Sequence, residues 1–426
     1  MFRCSFRRGR IRLIVEAEMS DARKMMRRVE ALAKISDEPG KTTRLFASPA
    51  MHRATEAVGK WMRGAGMQTR VDPIGNLIGH YEGAGPNAKV LLLGSHLDTV
   101  RDAGKFDGPL GVILAIACVE HLHRRRFRPP FAIEVIGFAD EEGVRYQTAY
   151  LGSKVLAGCF NPKDLRRKDT AGISMADAIK ASGGNPAKIK PSQLNPGKLL
   201  GYVEAHIEQG PVLEEKNLAV GIVTSIAGQT RARIGFSGRT AHAGTTPMNL
   251  RKDALCAAAE FILAAENLAR KTPGLVATVG EISAGPGVSN VIPGEVGLSL
   301  DVRHAKDSAR KSAYLALEKI AVEIAVRRKI HLDGEVVFET PAVACSEKLS
   351  ALLGRAVKRH QPGTIHLPSG AGHDAAIMSQ IAPMAMLLIR CKGGVSHHPD
   401  ESAKLEDVRV ALAVMNNFIS QMMQSL

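Results

Sequence analysis

Five short segments carry the residue types from which a hydrolytic metal centre is built. In Gly94-Ser-His-Leu-Asp-Thr-Val100, His96 follows an apolar run and Asp98 lies two residues on. Positions two apart on an extended chain point the same way, so the Asp98 carboxylate is placed to accept the second ring N–H of a metal-bound His96 and fix its tautomer. In Gly104-Lys-Phe-Asp-Gly-Pro-Leu-Gly111, Asp107 reads either as a ligand or as a helix N-cap ahead of Pro109. In Phe138-Ala-Asp-Glu-Glu-Gly143, neighbouring side chains diverge, so Glu141 and Glu142 can serve different tasks, one on a metal and one on the water to be activated. A solvated acidic loop is the plainer alternative. The alternation in Gly201-Tyr-Val-Glu-Ala-His-Ile-Glu-Gln-Gly210 puts Glu204, His206 and Glu208 on one face, and Gly393-Gly-Val-Ser-His-His-Pro-Asp-Glu401 closes the set. Each segment is weak alone. Together, His, Asp, Glu, His and His at strand ends and loops match a two-metal hydrolytic site, with ions about 3.5–4 Å apart. Two divalent ions outweigh two carboxylates and a hydroxide, so the site stays positive, which suits an anionic substrate and a developing oxyanion.

The elements that must position these residues follow from the apolar pattern. Helices are expected over Asp21–Ile35 and Pro49–Ala65, and short strands around Thr69–Gly79. Lys89–Gly94 and Phe131–Phe138 are continuous apolar runs of strand length, as in strands buried on both faces, with a helix at Gly111–Arg125 between them. Strand, helix, strand in this order argues a parallel sheet with helices outside. The pattern then changes to a long strand (Val220–Phe236), a helix (Leu250–Ala269), strands Leu275–Ser283 and Val291–Arg303, a helix (Lys306–Arg327) and a strand (Ile330–Glu339). That order, β-α-β-β-α-β, is the ferredoxin-like arrangement. Leu349–His360, Ala375–Gln380 and Met384–Ile389 resume the first pattern. The expectation is an α/β fold: a discontinuous catalytic domain (1–213 and 332–426) with a mixed, mostly parallel sheet, plus an inserted α+β domain (214–331).

Composition bounds the rest. The 426 residues are too many for one ordinary core, and 45% apolar with 23% charged residues is a soluble globular composition. No apolar run reaches the roughly 18–20 residues needed to span a bilayer. Six scattered cysteines without a CxxC pair fit a reducing, cytoplasmic setting rather than a disulfide framework. The net charge of +15 is spread out, aromatics are only 4%, and no nucleic-acid motif occurs, so attraction of an anionic metabolite and plain solubility are the two readings left. Met1 to Glu18 is Arg-rich; it reads as an extended start ahead of Met19 in preference to a targeting peptide, because no clear cleavage signal follows.

The five segments together resemble the aminoacylase and carboxypeptidase superfamily of dinuclear metallohydrolases, in its branch acting on carbamoyl and ureido compounds. The resemblance covers nearly everything after about residue 25. It implies His96, Asp107 and His206 on one metal and Asp107, Glu142 and His397 on the other, with Asp107 bridging. Glu141 is then the general base that passes its proton to the leaving nitrogen, and Asp98 its catalytic companion. Peptidase members carry a carboxylate where this chain has His206, which disfavours a peptidase. The resemblance further implies substrate contacts from Gln209, His242, Asn290, Arg303 and His373. Of these, Arg303 is a bidentate clamp for a carboxylate, and His242 is donated across a homodimer made by the inserted lid domain. The phrases FADEEGVRYQTAYLGS, SIAGQTR, SGAGHDA and RCKGGVSHHPDE look most like allantoate amidohydrolases, whose ligands the N-carbamoyl-L-amino acid hydrolases share. His398 stands where the family usually has another residue; His397 keeps the Ser-His-x-Pro register and is assigned the metal, with His398 as competitor. Two manganese or zinc ions are expected, together with a small ureido substrate and neither nucleic acid nor membrane as partner.

Overall fold

The computed structural model describes residues 2–425, with side chains from residue 16 onward apart from residue 191. The question of a start at Met1 or Met19 falls on residues largely outside those whose side chains are described. The first helix spans Phe2–Ala33 rather than Asp21–Ile35, and buries Ala22, Met25, Val29 and Leu32 at helical spacing. The chain divides into two compact units: Met1–Thr224 with Cys345–Leu367 and His373–Leu426, and Ser225–Ala344 with Pro368–Gly372.

The first unit is built on a mixed sheet. Its order is Gln68–Val71, Leu77–Tyr81, Ala132–Phe138, Val90–His96, Leu199–Ile207, Met384–Ile389 and Val220–Ile226. Only the four central strands, Ala132–Phe138 through Met384–Ile389, run parallel; the flanking pairings are antiparallel. The sheet is therefore mixed without being mostly parallel. The cause is local: Gln68–Val71 and Leu77–Tyr81 are joined by a short turn, and a turn of that length pairs strands only antiparallel. The helix Pro109–Arg124 is buried at nearly every position through Leu122, so it is apolar all round and lies inside the unit with Leu91, Leu93, Val203 and Ala205. Each such fully buried aliphatic side chain contributes roughly 1.5–3 kcal/mol. A terminal helix, Leu405–Gln424, which the apolar pattern did not single out, adds Val408, Leu412, Met415 and Phe418 to this core. Parallel strands end at one edge of the sheet, so the residues following Val90–His96, Ala132–Phe138, Leu199–Ile207 and Met384–Ile389 emerge together.

The second unit is an antiparallel sheet in the order Ile282–Gly285, Glu295–His304, Gly228–Ser237, His331–Thr340, with Val276–Thr278 also on Glu295–His304. Ala232, Ile234, Phe236, Val296, Leu298, Leu300 and Val302 alternate inward and share a core with Phe261, Leu317 and Ile324 of the helices Ala254–Lys271 and Asp307–Arg328. The strand expected over Val220–Phe236 is two strands, Val220–Ile226 and Gly228–Ser237, in different sheets. Likewise Pro293 and Gly294 split Val291–Arg303 into Val291–Ile292 and Glu295–His304, since proline has no N–H for a ladder. The strand His331–Thr340 lies beyond 331 yet pairs along Gly228–Ser237 and belongs to this unit. No helix among the described residues is long and apolar enough to cross a membrane.

Candidate metal centre

His96 and His206 end adjacent parallel strands, and Asp107 reaches the same place from the loop before the helix Pro109–Arg124. All three are buried, at 2%, 2% and 4% exposure. The ring nitrogens fix their own roles. His96 Nδ1 lies 3.0 Å from the Asp98 carbonyl oxygen and His206 Nδ1 lies 2.9 Å from that of Ile207. A carbonyl only accepts, so each Nδ1 donates its N–H there and each Nε2 is the nitrogen left to face the site. Both Nε2 atoms face one oxygen: Asp107 Oδ1 is 3.5 Å from His96 Nε2 and 3.0 Å from His206 Nε2. The other oxygen, Oδ2, lies 3.1 Å from His397 Nε2, which is itself 3.6 Å from Glu142 Oε1. Potential ligand atoms fall within 4.8 Å of one another in four groups: His96, Asp107 and His206; Asp107, Glu142 and His397; His96, Glu141 and Glu142; and Glu204, His206 and His373. One carboxylate divides its two oxygens between two donor sets. His398 is elsewhere engaged, its Nδ1 accepting the Asp400 N–H.

Gly108 shows how tightly the loop is fitted. Its φ is +80°, and a Cβ there would come 2.4 Å from the His96 ring, so only glycine lets the Asp107 loop lie against that imidazole. Gln209 and His397 themselves hold left-handed backbone, at φ +55° and +56°. For residues with a side chain this costs of order 1–3 kcal/mol and persists where the surroundings enforce it.

The carboxylates crowd one another. Burial, with the neighbouring Glu142 and Asp374 charges and against the pull of His96, pushes Glu141 well above the usual carboxylate range. Burial and Asp107 raise Glu142 to about 7. Burial also favours the neutral form of Asp107, but hydrogen bonds from His206, His397 and His96 win and hold it well below its ordinary value. The Asp107 hydrogen bond raises His397 to about 9. Buried acids that repel one another and meet imidazole Nε2 atoms, which a cation can engage in place of the proton shared with Asp107, form a donor set suited to divalent cations.

The remaining expected residues fall in different places. Asp98 supports the acidic loop: its oxygens accept the amide N–H groups of Glu141 (3.0 Å) and Glu142 (3.1 Å), while its carboxylate is 3.5 Å from His96 Nδ1. Gln209 Nε2 stands 2.9 Å from Asp107 Oδ2, and the His373 ring packs edge-on at 4.5 Å against His206. Burial and the charge of His206 keep His373 well below its ordinary pKa, hence neutral. In the second unit, His242 and Asn290 are neighbours across the short pairing of Ala241–His242 with Val291–Ile292. His242 Nδ1 accepts the Gly244 N–H, which leaves the neutral ring a donor at Nε2. The Arg303 guanidinium forks onto Asp301 (3.0 and 2.8 Å) and donates to the Gly370 carbonyl, which uses three of its five N–H groups.

The two acidic residues flanking His206 in sequence have further partners. Glu204 lies beside His206, its ligand atom within 4.8 Å of those of His206 and His373, while its oxygens accept Ser95 Oγ, Tyr202 Oη and the Ala375 N–H, all buried. Glu208 caps the helix Val212–Glu215 through the N–H groups of Val212 and Leu213. Sequence reasoning also passed over Arg44, which is 1% exposed and donates to the carbonyls of Leu97 and Leu32 beneath the His96–Asp98 loop, and over Ser396 and Glu401, which contact the Asp107 segment. Glu401 lay inside a quoted motif but had no periodicity to mark it.

Comparison with known proteins agrees with this geometry. The chain is 40% identical over 407 residues to an N-carbamoyl-L-amino acid amidohydrolase of Geobacillus stearothermophilus, covering 95% of this chain and all of that one. It is 39% identical to allantoate deiminase 1 of Glycine max, covering 93% and 88%. A solved amidase of the hydantoinase/carbamoylase family from Burkholderia multivorans superposes with a TM-score of 0.88 at 30% identity, covering 93% and 97%. The description "Peptidase family M20/M25/M40" matches residues 92–421. The chain belongs to peptidase family M20/M25/M40, within its amidohydrolases that cut non-peptide C–N bonds.

Proposed function

We propose that this chain is a two-metal ureido amidohydrolase with allantoate as its preferred substrate, releasing ammonia and carbon dioxide and leaving a ureidoglycine- or ureidoglycolate-type product. One observation carries it: the two oxygens of Asp107 face two different donor sets, as a bridging carboxylate requires. His96, Asp107 and His206 would hold one ion, and Asp107, Glu142 and His397 the other. Manganese or zinc bound there would acidify the attacking water and stabilise the oxyanion. Glu141 takes the proton of that water as the ureido carbonyl is attacked, and returns it to the nitrogen when the C–N bond breaks. His242 Nε2–H donates to the oxyanion, and the two N–H groups of Arg303 left over from Asp301 and Gly370 take the substrate carboxylate. Gln209, Asn290 and His373 would supply the further substrate contacts.

The second unit is read as a ferredoxin-like lid that also makes a homodimer. Its strand order supports the first part. Exposed Leu315, Val322 and Val326 on the helix Asp307–Arg328, with Leu255 and Leu263 on Ala254–Lys271, support the second. Five free cysteines among the described residues suit a cytoplasmic setting. The 40% identity to an N-carbamoyl-L-amino acid amidohydrolase favours a second reading, hydrolysis of N-carbamoyl amino acids or β-ureidopropionate. An ammonia-release screen with manganese over allantoate, N-carbamoyl amino acids, β-ureidopropionate and ureidoglycolate decides between them. The highest kcat/KM on a carbamoyl amino acid would overturn the allantoate assignment.

A further inference from the structure

Glu401 is a carboxylate with 2% exposure that neither donor set includes. Its Oε1 accepts the amide N–H groups of Phe106 (2.7 Å) and Asp107 (3.1 Å). Its Oε2 lies 3.1 Å from Ser396 Oγ, which is also 3.1 Å from Asp107 Oδ2. A hydroxyl has one proton, so Ser396 serves one of these carboxylates at a time. Gln209 Nε2 donates to the same Ser396 oxygen and to Asp107 Oδ2. The Glu401 side chain lies flat on Gly104, where a Cβ would come 2.2 Å from its carboxyl carbon. Glu401 also ends the turn that carries His397, closed by its own N–H onto the His398 carbonyl.

We propose that Glu401 is a positioning residue for the bridging carboxylate. It grips the backbone on which Asp107 rides and ties that backbone to the turn carrying His397, so that Oδ1 faces His96 and His206 while Oδ2 faces His397. The buried histidines are held by their own carbonyl bonds at Nδ1. His397 has half of its side chain exposed and depends on this turn. Loss of Glu401 therefore weakens the ion on the His397 and Glu142 side more than the ion between His96 and His206. The inference rests on the two-metal reading.

The test uses full-length protein stripped with a chelator, equilibrium dialysis against Mn2+, and electron paramagnetic resonance of the bound ions. Wild type is expected to bind two ions with a spin-coupled signal. Glu401→Ala is expected to weaken the second ion by about 10–100-fold, the usual effect of losing a group that orients a ligand, and to show an uncoupled signal where wild type is saturated. Glu401→Gln keeps an oxygen for both amide N–H groups and is expected to rescue affinity to within a few-fold. Gly104→Ala, which displaces Glu401 without altering charge, is expected to behave like Glu401→Ala and carries the test if that variant fails to fold. Two tightly bound, coupled ions in folded Glu401→Ala or Gly104→Ala would overturn the proposal. So would a Gln variant as impaired as Ala, which would make Glu401 a ligand or a charge and not a grip. Wild type that binds fewer than two ions would remove the two-metal reading itself, and that failure appears without any substitution.

Discussion

His96, Asp107 and His206 in the first unit are almost inaccessible, fixed by backbone carbonyls and by a glycine that admits no side chain. In the second unit, His242 and Asn290 are exposed on a two-residue pairing, and Arg303 is half-buried beside Asp301. The first set is assembled by parallel strand ends that share a close-packed core, where displacement of one side chain disturbs all the rest. In the second set His242 and Asn290 sit on or beside a separate two-stranded pairing, and Arg303 lies on an interior strand with its guanidinium held by Asp301; the first two are exposed, so those side chains can change without loss of the core. On the proposed function, the ions and proton transfer rest on the part of the fold that tolerates least change, and the proposed contacts His242 and Asn290 on a part that tolerates more.

The comparison breaks most sharply at Glu141. Glu141→Gln removes proton transfer but no ligand, so turnover should fall about 10²–10⁴-fold while two ions remain bound. Loss of the ions by elemental analysis would mean that Glu141 and Glu142 have exchanged roles. Metal removal comes next. The acids crowded around Asp107 repel one another when no cation is present, and a ligand at a thousand times its Kd stabilises by about 4 kcal/mol. Chelation should abolish turnover and lower the Tm. Hydrogen exchange should rise in Val90–His96 and Ala132–Phe138 and stay unchanged in Gly228–Ser237. An unchanged Tm, or exchange rising equally in both units, would sink the idea that the ions stabilise the first unit alone.

How legible each region was in the sequence follows the same division. The buried strands Val90–His96 and Ala132–Phe138 were visible because a strand covered on both faces is apolar without interruption. The five motif segments lie at or just after strand ends, where sequence order and site geometry coincide. Arg44, Glu204 and Glu401 were not legible as supports, because each acts on a backbone group far away in sequence, Glu401 across nearly three hundred residues. The break after Ile226 was missed because both halves are apolar and β-prone; what ends the first strand is the change of partner sheet. The terminal helix Leu405–Gln424 buries two polar side chains, Asp407, which pairs with Arg390, and Gln421, and these blur its period.

A smaller effect tests the second unit. Arg303→Lys keeps the charge and loses the planar fork, so both Asp301 and the substrate carboxylate are held less well. KM should rise roughly tenfold, the scale of one charge-assisted hydrogen bond, with both ions retained and kcat little changed. An unchanged KM would remove Arg303 from the substrate site and leave it as the partner of Asp301.

The smallest effect is also the most specific to the proposed assembly. If His242 acts in the site of a second chain, His242→Ala and Glu141→Gln homodimers are each inactive for different reasons. Mixed as heterodimers, one site regains an intact Glu141 from its own chain and an intact His242 from its neighbour, while the other site lacks both. Random exchange at equal amounts makes half of the dimers mixed, each with one working site of two, so about a quarter of full activity should return. The physical reason for crossing over is that an activated water in an open cleft loses its proton to solvent, and closure by a neighbour's donor both excludes water and places the oxyanion contact. Native mass spectrometry would confirm the exchange. Confirmed heterodimers without recovered activity would show that His242 serves its own chain, and the second unit would then have to complete the site without help.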